Sequence, residues 1–580
     1  MAAYAPFIGS MPCSHATKEP HNPNRHKPTK GDKILLFFIG FPLSIRCKKS
    51  FKFLASKLKL RHLPAIIMTH KGQKNMPHSP INQDAINKAV WSACDTFRGT
   101  VDPSIYKDFI LTLLFLKYIS DVHDDTLDSL TAEFGDNPAM VEAMLANQPF
   151  KIPTGATFGD LYAVRFEAGN GSRIDQALHA IEEANGNKLK GVFQDISFNT
   201  DKLGDEKQKN DILRHLLEDF GQPTLNLRPS QVGALDVIGN AYEYLIKHFA
   251  AGSGKSAGEF YTPAEVSDLL AIILAPQPGD SICDPACGSG SLLMKCGQQV
   301  QKNFSGVKQY ALFGQEAIGS TWSLAKMNMF LHGEDNHRIE WGDTIRTPKL
   351  QDGNGGLLHF DVVTANPPFS LDKWGHEDAA SDPFGRFRRG VPPKTKGDYA
   401  FISHMIETLK PETGRMGVVV PHGVLFRASS EGKIRQQLID ENLLDAVIGL
   451  PEKLFFGTGI PAAILIFKKK KDTNDVMFID ASREFKSGKN QNVLTLDNID
   501  KIVKTYRSGD NVDKYAYVAT LDEIRENDYN LNIPRYVDTF EEEAEIDLIA
   551  VRSERLALQT ELADLEAEMA GYLEELGYGA

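Results

Sequence analysis

The chain has 580 residues, 42% hydrophobic and 24% charged, ordinary proportions for a soluble globular protein with room for two to four domains and sizeable cores. Its formal charge of −12 is unevenly spread: residues 1 to 75 hold fourteen Lys and Arg against Glu19 and Asp32, a net of +12, so the remainder carries −24. So acidic a body excludes a general polyanion binder, because non-specific affinity for nucleic acid comes from neutralising phosphates; a DNA substrate here needs a partner or a local basic patch.

Residues 1–78 read as a basic extension. Its one apolar run, Ile34 to Ile45, is broken by Gly40 and Pro42 and is too short to span a bilayer. The long positive leader and the lack of a small-residue cleavage site exclude a signal peptide. Three readings stay open: a nucleic-acid-binding arm, a targeting segment, or translation from a start codon placed upstream of the true one. The last is preferred, since Met68 and Met76 immediately precede the first clean helical periodicity. Residues 79–250 are helical in pattern. Ile110, Leu111, Leu113, Leu114, Leu116 and Tyr118 predict a buried helix, and helix-spaced apolar residues continue over 192–217 and 237–249. The GSGKS run at 252–256 imitates a P-loop, but Phe249 stands where the first Gly belongs and the preceding segment is helical, so it is read as a linker. Of six cysteines, Cys283, Cys287 and Cys296 cluster without an interleaved His, which predicts buried reduced thiols and no zinc.

A catalytic domain is expected over 251–480. GEFYTP, residues 258–263, leads into a helix over 264–274, with Thr262 able to cap it and Pro263 suited to its start. An apolar run at 281–283 predicts a strand, followed by DPACGSG at 284–290; a second run at 360–365 predicts another, followed by NPPF at 366–369. Both clusters therefore stand at the carboxyl edge of a parallel sheet, where open α/β folds bind ligands. Gly288, Ser289 and Gly290 let backbone pass close to a ligand, in a spacing that is not the dinucleotide fingerprint. Two prolines after Asn366 make a rigid turn that holds the Asn amide and the next carbonyls as fixed hydrogen-bonding groups, with the Phe369 ring beside them. A planar base carrying an exocyclic amine suits that set. Between the clusters come a helix over 292–300, a strand over 310–315 ending in Glu316, a helix over 321–331 and a strand over 338–341 leading to Gly342 and Asp343. An acid at the end of the second strand is where such folds hold a ribose.

After NPPF a long polar segment, 370–396, carries Arg386, Arg388, Arg389, Lys394 and Lys396, the densest basic run of the acidic body and the candidate DNA contacts. Helices are expected over 398–409 and 434–440, and strands over 417–420, 444–450 and 462–467. Residues 481–540 read as an extension of the catalytic domain. The charged helix of 541–580 carries Leu558, Leu562, Leu565, Met569, Tyr572 and Leu576 at alternating spacings of four and three, a coiled-coil seam. About three heptads are marginal alone, so a partner helix is expected.

DPACGSG and NPPF, in this order and strand context, resemble the cofactor and catalytic motifs of the S-adenosylmethionine-dependent adenine methyltransferases of DNA. The helical amino-terminal part, GTGIPAAILIFKK at 457–469 and NLNIPRYV at 530–537 narrow the resemblance to the modification (M) subunit of type I restriction-modification systems, over roughly residues 80 to 580. The resemblance implies a Rossmann-like α/β fold with a seven-stranded sheet, a helical amino-terminal domain and a coiled-coil-like carboxyl-terminal helix. It implies S-adenosylmethionine as cofactor, with Phe260, Tyr261 and Thr262 over its methionine end, Asp284, Gly288, Ser289 and Gly290 in the loop, Glu316 on the ribose and Asp343 on the adenine amine. Asn366, Pro367, Pro368 and Phe369 would then form the catalytic turn for methylation of the 6-amino group of a flipped adenine. The implied partners are double-stranded DNA, a specificity (S) subunit docked on the carboxyl-terminal helix at two M per S, and a restriction (R) subunit, in the cytoplasm and away from membranes. A solitary DNA methyltransferase, a protein-glutamine methyltransferase and a non-catalytic scaffold subunit are the competing readings.

Overall fold

The computed structural model describes residues 83–97, 103–232, 236–252, 261–456, 459–489, 491–539 and 547–579. The basic extension with Met68 and Met76, residues 253–256 of the GSGKS run, and Phe260 lie outside the described residues.

Nine strands form one sheet: β1 (Ser281–Asp284), β2 (Ala311–Glu316), β3 (His337–Trp341), β4 (Val362–Ala365), β5 (Arg415–Pro421), β6 (Leu444–Gly449), β7 (Ala462–Lys468), β8 (Val476–Asp480) and β9 (Ala516–Ala519). Their order is β3-β2-β1-β4-β5-β7-β6-β8-β9. β1 to β5 are mutually parallel where they pair, β7 runs antiparallel to both its neighbours, and β6 pairs in parallel with β8. Every residue of β4 is buried, as expected of a parallel strand covered on both faces, which is why the run reads as continuous rather than alternating apolar sequence. The chain winds outward from β1 through β2 to β3, then returns to place β4 on the other side of β1. That reversal opens a crevice at the carboxyl ends of β1 and β4.

The sheet exceeds the seven strands expected. β8 and β9, five and four residues long, extend it past β6, so the β7–β6 pair lies inside the sheet rather than at its edge. Strands this short carry no legible alternation, and β9 is recruited by pairing with β8. NLNIPRYV packs on this extension, Tyr536 stacking on Phe478 at 3.9 Å between centroids.

The longer helices before the sheet are α1 (Gln83–Ala93), α2 (Pro103–Phe134), α3 (Asn170–Ala184), α4 (Glu206–Phe220) and α5 (Asp236–Gly252). All six residues singled out in α2 are buried. One continuous core joins these helices to the sheet, running from Ile86 through Tyr242 to Val362. Around the sheet pack α6 (Ala264–Leu274), α7 (Ser291–Asn303), α8 (Gly319–Leu331), α9 (Asp398–Glu407), α10 (Ser430–Asp440) and α11 (Leu496–Ser508). α5 meets α8, where the Tyr242 hydroxyl donates to the Leu324 carbonyl at 3.5 Å.

The last helix, α12 (Leu548–Glu575), is capped by Asp547, whose carboxylate accepts from Ile549 and Ala550, and it buries no residue at all. Leu558, Leu562, Leu565, Met569 and Tyr572 are each 56–57% exposed. Among the described residues no helix is long and apolar enough to cross a membrane.

Candidate active site

The crevice at the β1–β4 reversal contains the site. β1 ends in Asp284, the loop turns, and α7 begins at Ser291. Gly288 and Gly290 both take positive φ, 55° and 80°, a backbone state that strains other residues, and a side chain at Gly290 would also have to displace the Met329 methyl, 2.6 Å away. Its remaining polar groups are held from several elements. Cys287 N–H donates to the Gln315 carbonyl at 3.1 Å, and Asn328 on α8 donates its amide to the Ser289 carbonyl at 3.0 Å. Gly288 N–H donates to the Glu316 carboxylate at 3.0 Å, and the other Glu316 oxygen accepts from Ile318 at 2.9 Å. Among the described residues, the buried Asp284 carboxyl accepts only from Ala286 N–H, at 2.9 Å. Burial pushes its pKa up to about 8 against that backbone bond, with the charge of Glu316 adding to the rise. Burial likewise raises the pKa of Glu316, against the backbone donors it accepts from.

Asn366 follows β4 and faces this loop. Its Nδ2 donates to Thr262 Oγ1 at 3.2 Å. Its Oδ1 is buried and accepts from no donor among the described residues. Tyr261, Thr262, Asp284, Gly288, Ser289 and Asn366 line one narrow recess of about 10 Å³, together with Ala286, Cys287, Ser291 and Leu292. Pro367 is buried and Pro368 half-buried within the turn. Phe369 stands edge-on to Phe455 at 5.9 Å, and Tyr261 lies 6.0 Å from Phe456. The chain leaves the turn through Ser370 at φ 53°, a backbone state that costs a non-glycine residue free energy. Asp398, at the start of α9, offsets it by accepting from Ser370 N–H at 2.8 Å, and is itself paired with Arg427 at 2.9 Å.

Other expected residues stand elsewhere. Asp343 does not line the recess: one oxygen caps its own turn, accepting from Ile345 and Arg346 N–H at 2.9 Å each, and the other faces Arg346 at 3.4 Å. Arg386 is buried, bonded to Asp382 and to the Thr344 and Ile345 carbonyls. Arg389 is buried between Glu407 and Glu441 at 2.6 Å each. Both are expected from sequence as DNA contacts; in the structure the guanidinium groups are engaged in folding the 370–396 segment, Arg386 with Asp382 inside it and Arg389 with Glu407 of α9 and Glu441 just past α10. Arg388 is exposed but pairs with Glu407 at 3.1 Å, Lys394 is exposed and Lys396 half-buried. The residues missed from sequence are Ser291, which simply continues the glycine motif, the Phe455–Phe456 pair, and Asn328 and Asp398, which carry no local signal. Cys283, Cys287 and Cys296 are buried free thiols.

A doubly wound sheet with a glycine loop after β1, an acid after β2 and an Asn-Pro-Pro turn after β4 defines a methyltransferase that uses S-adenosylmethionine. Residues 233–545 match the model of the N-6 DNA Methylase family, and residues 86–220 match that of the HsdM N-terminal domain. The chain belongs to the N-6 DNA methylase family, among the methylase subunits of type I restriction enzymes. It is 32% identical over 505 residues to the type I restriction enzyme MpnII methylase subunit of Mycoplasma pneumoniae, covering 80% of this chain and 91% of that one. It is also 32% identical over 458 residues to the HindI methylase subunit of Haemophilus influenzae, covering 76% and 98%. Among solved structures, the type I restriction-modification methyltransferase subunit from Streptococcus thermophilus superposes with a TM-score of 0.71 at 34% identity, over 79% of this chain and all of that one. Family membership favours the modification-subunit reading over a glutamine methyltransferase, a solitary enzyme or a bare scaffold.

Proposed function

We propose that the chain transfers a methyl group from S-adenosylmethionine to the 6-amino group of adenine in duplex DNA, as the modification subunit of a type I restriction-modification complex. The Asn366 amide carries the reading. Its nitrogen donates to the Thr262 hydroxyl, and its oxygen is buried without a donor among the described residues. A buried acceptor left unpaired costs about 1 to 3 kcal/mol, which a donor arriving on a ligand removes. The exocyclic amine of adenine is such a donor.

The recess also suits the cofactor: a buried carboxyl at Asp284, a loop whose positive φ at Gly288 and Gly290 disfavours side chains, and Tyr261 and Thr262 in the same lining. S-adenosylmethionine supplies an electrophilic methyl group on a sulfonium. Phe260, Tyr261 and Thr262 would cover its methionine end, Gly288, Ser289 and Gly290 would admit its body, Glu316 would take the ribose hydroxyls and Asp343 the adenine amine. Asn366 Oδ1 and the Pro367 carbonyl accept the two protons of the target amine, which draws its lone pair out of conjugation. Phe369 stacks on the base, which has left the duplex at a cost of a few kcal/mol. Catalysis is positioning and electrostatics. No general base is needed before attack, because the proton leaves after the methyl arrives.

The exposed seam of α12 is the docking surface for the specificity subunit, with two copies of this chain per specificity subunit and a restriction subunit completing the complex in the cytoplasm. Arg388, Lys394 and Lys396 remain as DNA contacts from the 370–396 segment. The proposed division keeps 79–250 as the helical domain, 251–480 as the catalytic domain and 541–580 as the subunit contact, with 481–540 extending the catalytic domain through β9.

Methyl transfer from labelled S-adenosylmethionine to DNA, measured for the chain alone and with its specificity-type partner, tests the reading. Transfer only with the partner is expected. Transfer by the chain alone would make it a solitary enzyme.

A further inference from the structure

β8 runs parallel to β6, and β6 parallel to β5, so the carboxyl ends of β6 and β8 lie on the same sheet edge as the recess. Two segments leave that edge and lock together. After β8, Lys486 and Val493 exchange backbone hydrogen bonds at 2.9 and 3.1 Å and close a short ribbon. After β6, Lys453 takes φ 58°, and its carbonyl accepts from the N–H of buried Asn492 at 2.9 Å. Asn492 Nδ2 donates to the Glu452 carbonyl at 2.9 Å, and the Gln491 amide donates to the Leu454 carbonyl. The next two residues are Phe455 and Phe456, the rings against Phe369 and Tyr261. The ribbon is thus built directly onto the rim of the catalytic turn.

Its outward face is basic. Lys486 and Lys489 are exposed, the Lys453 side chain is 61% exposed, and Arg483 at the start of the ribbon donates to the Thr539 carbonyl at 3.1 Å. Glu484 is engaged by Asn498 and Lys501, and Glu452 stands 3.3 Å from Lys453. Phe485 and Val493 add exposed apolar surface between the charges. The rest of the body is acidic, and two of the five arginines and lysines expected to face DNA from the 370–396 segment are buried in ion pairs. We infer that the ribbon of Arg483 to Val493, with Lys453 beneath it, is a phosphate-contacting surface that holds the duplex beside the recess. This rests on the reading of DNA as the substrate. Lysines supply point charges for phosphates, and the apolar residues pack on the deoxyribose between them.

The test is duplex binding and methylation by the chain assembled with its specificity partner, across a series of salt concentrations. In the triple variant Lys453→Ala, Lys486→Ala, Lys489→Ala, the slope of log K against log salt is expected to become shallower by about 0.9 for each phosphate that the variant no longer neutralises. The KM for DNA should rise at least tenfold, with kcat at saturating DNA, cofactor affinity and melting temperature unchanged, and arginine at the three positions should restore the slope. Wild-type slope and KM in the alanine variant would overturn the surface alone. Loss of the partner subunit from the variant would mark the ribbon as a protein-binding face and also overturn it. No duplex binding by the wild-type complex would overturn the DNA reading and the surface together.

Discussion

Asn366 hands one amide proton to the Thr262 hydroxyl, 104 residues earlier in the chain, and keeps its oxygen bare. Were the amide reversed, its NH₂ would point at the amine it must accept from, and both groups would be donors. Asn366→Ala is therefore expected to abolish methyl transfer while cofactor affinity stays within a few-fold of wild type; retained transfer would remove Asn366 from catalysis. Thr262→Val should lower kcat by roughly 10- to 100-fold, and Thr262→Ser, which keeps the acceptor, should restore most of it. Equal kcat values in Val and Ser variants would mean that the hydroxyl does not orient the amide.

At Asp284 the prediction concerns protons. Its folded pKa of about 8 stands above the unfolded value of 3.8, so the native state holds an extra proton between those limits. The stability this contributes is complete below pH 4 and is lost as pH rises through 8. A cofactor bearing positive charge favours the carboxylate, so binding below pH 8 should release up to one proton, and affinity should rise with pH up to about 8. Calorimetry in buffers of different ionisation heats measures that release, and Asp284→Asn should eliminate it. A wild-type protein that binds cofactor without proton release would show that Asp284 is not beside its charge.

Among the elements, α12 and the 370–396 segment contrast. The segment is polar in sequence yet held inside by Arg386, which pairs with Asp382 and bonds the Thr344 and Ile345 carbonyls, and by Arg389, whose ion pairs reach α9 and the end of α10. α12 has a regular apolar seam and covers none of it. A 28-residue helix with no tertiary burial has only its own propensity and its Asp547 cap to sustain it. Removing residues 547–580 should leave the melting temperature and cofactor affinity of the remainder unchanged and abolish co-purification of the specificity partner. A truncated chain that still holds the partner on size exclusion would place the docking surface elsewhere.

For the whole molecule, the governing fact is that one core runs from α1 through α5 into β1, β2 and α8, while further cores fill the sheet from β4 to β9. The helical part and the cofactor loop are not separable layers: α8 packs against α5 on one side and fixes the Ser289 carbonyl through Asn328 on the other. Heating should therefore unfold residues 83–539 in one calorimetric transition, raised by saturating S-adenosylmethionine, since about a hundredfold excess over Kd stabilises by about 2.7 kcal/mol. Two resolved transitions, only one of them shifted by cofactor, would show that the helical part unfolds on its own.

The strands that matter most for the site were legible in the chain itself. The runs before Asp284 and Asn366 are apolar without alternation because both faces of a central parallel strand are buried, and glycines and prolines mark the turns after them by their own backbone limits. The buried centre of α2 and the seam of α12 are likewise local periodicities. Tertiary structure alone decided the rest. A basic residue reads the same in sequence whether it meets solvent or a carboxylate, and Arg389 meets Glu441, 52 residues on. β9 is a strand because β8 offers it an edge, and Thr262 bonds Asn366 because the start of α6 and the end of β4 meet at one crevice. Local sequence determines what a backbone segment can be; the destination of a side chain's charge or hydrogen bond depends on residues far along the chain, which only the fold brings near.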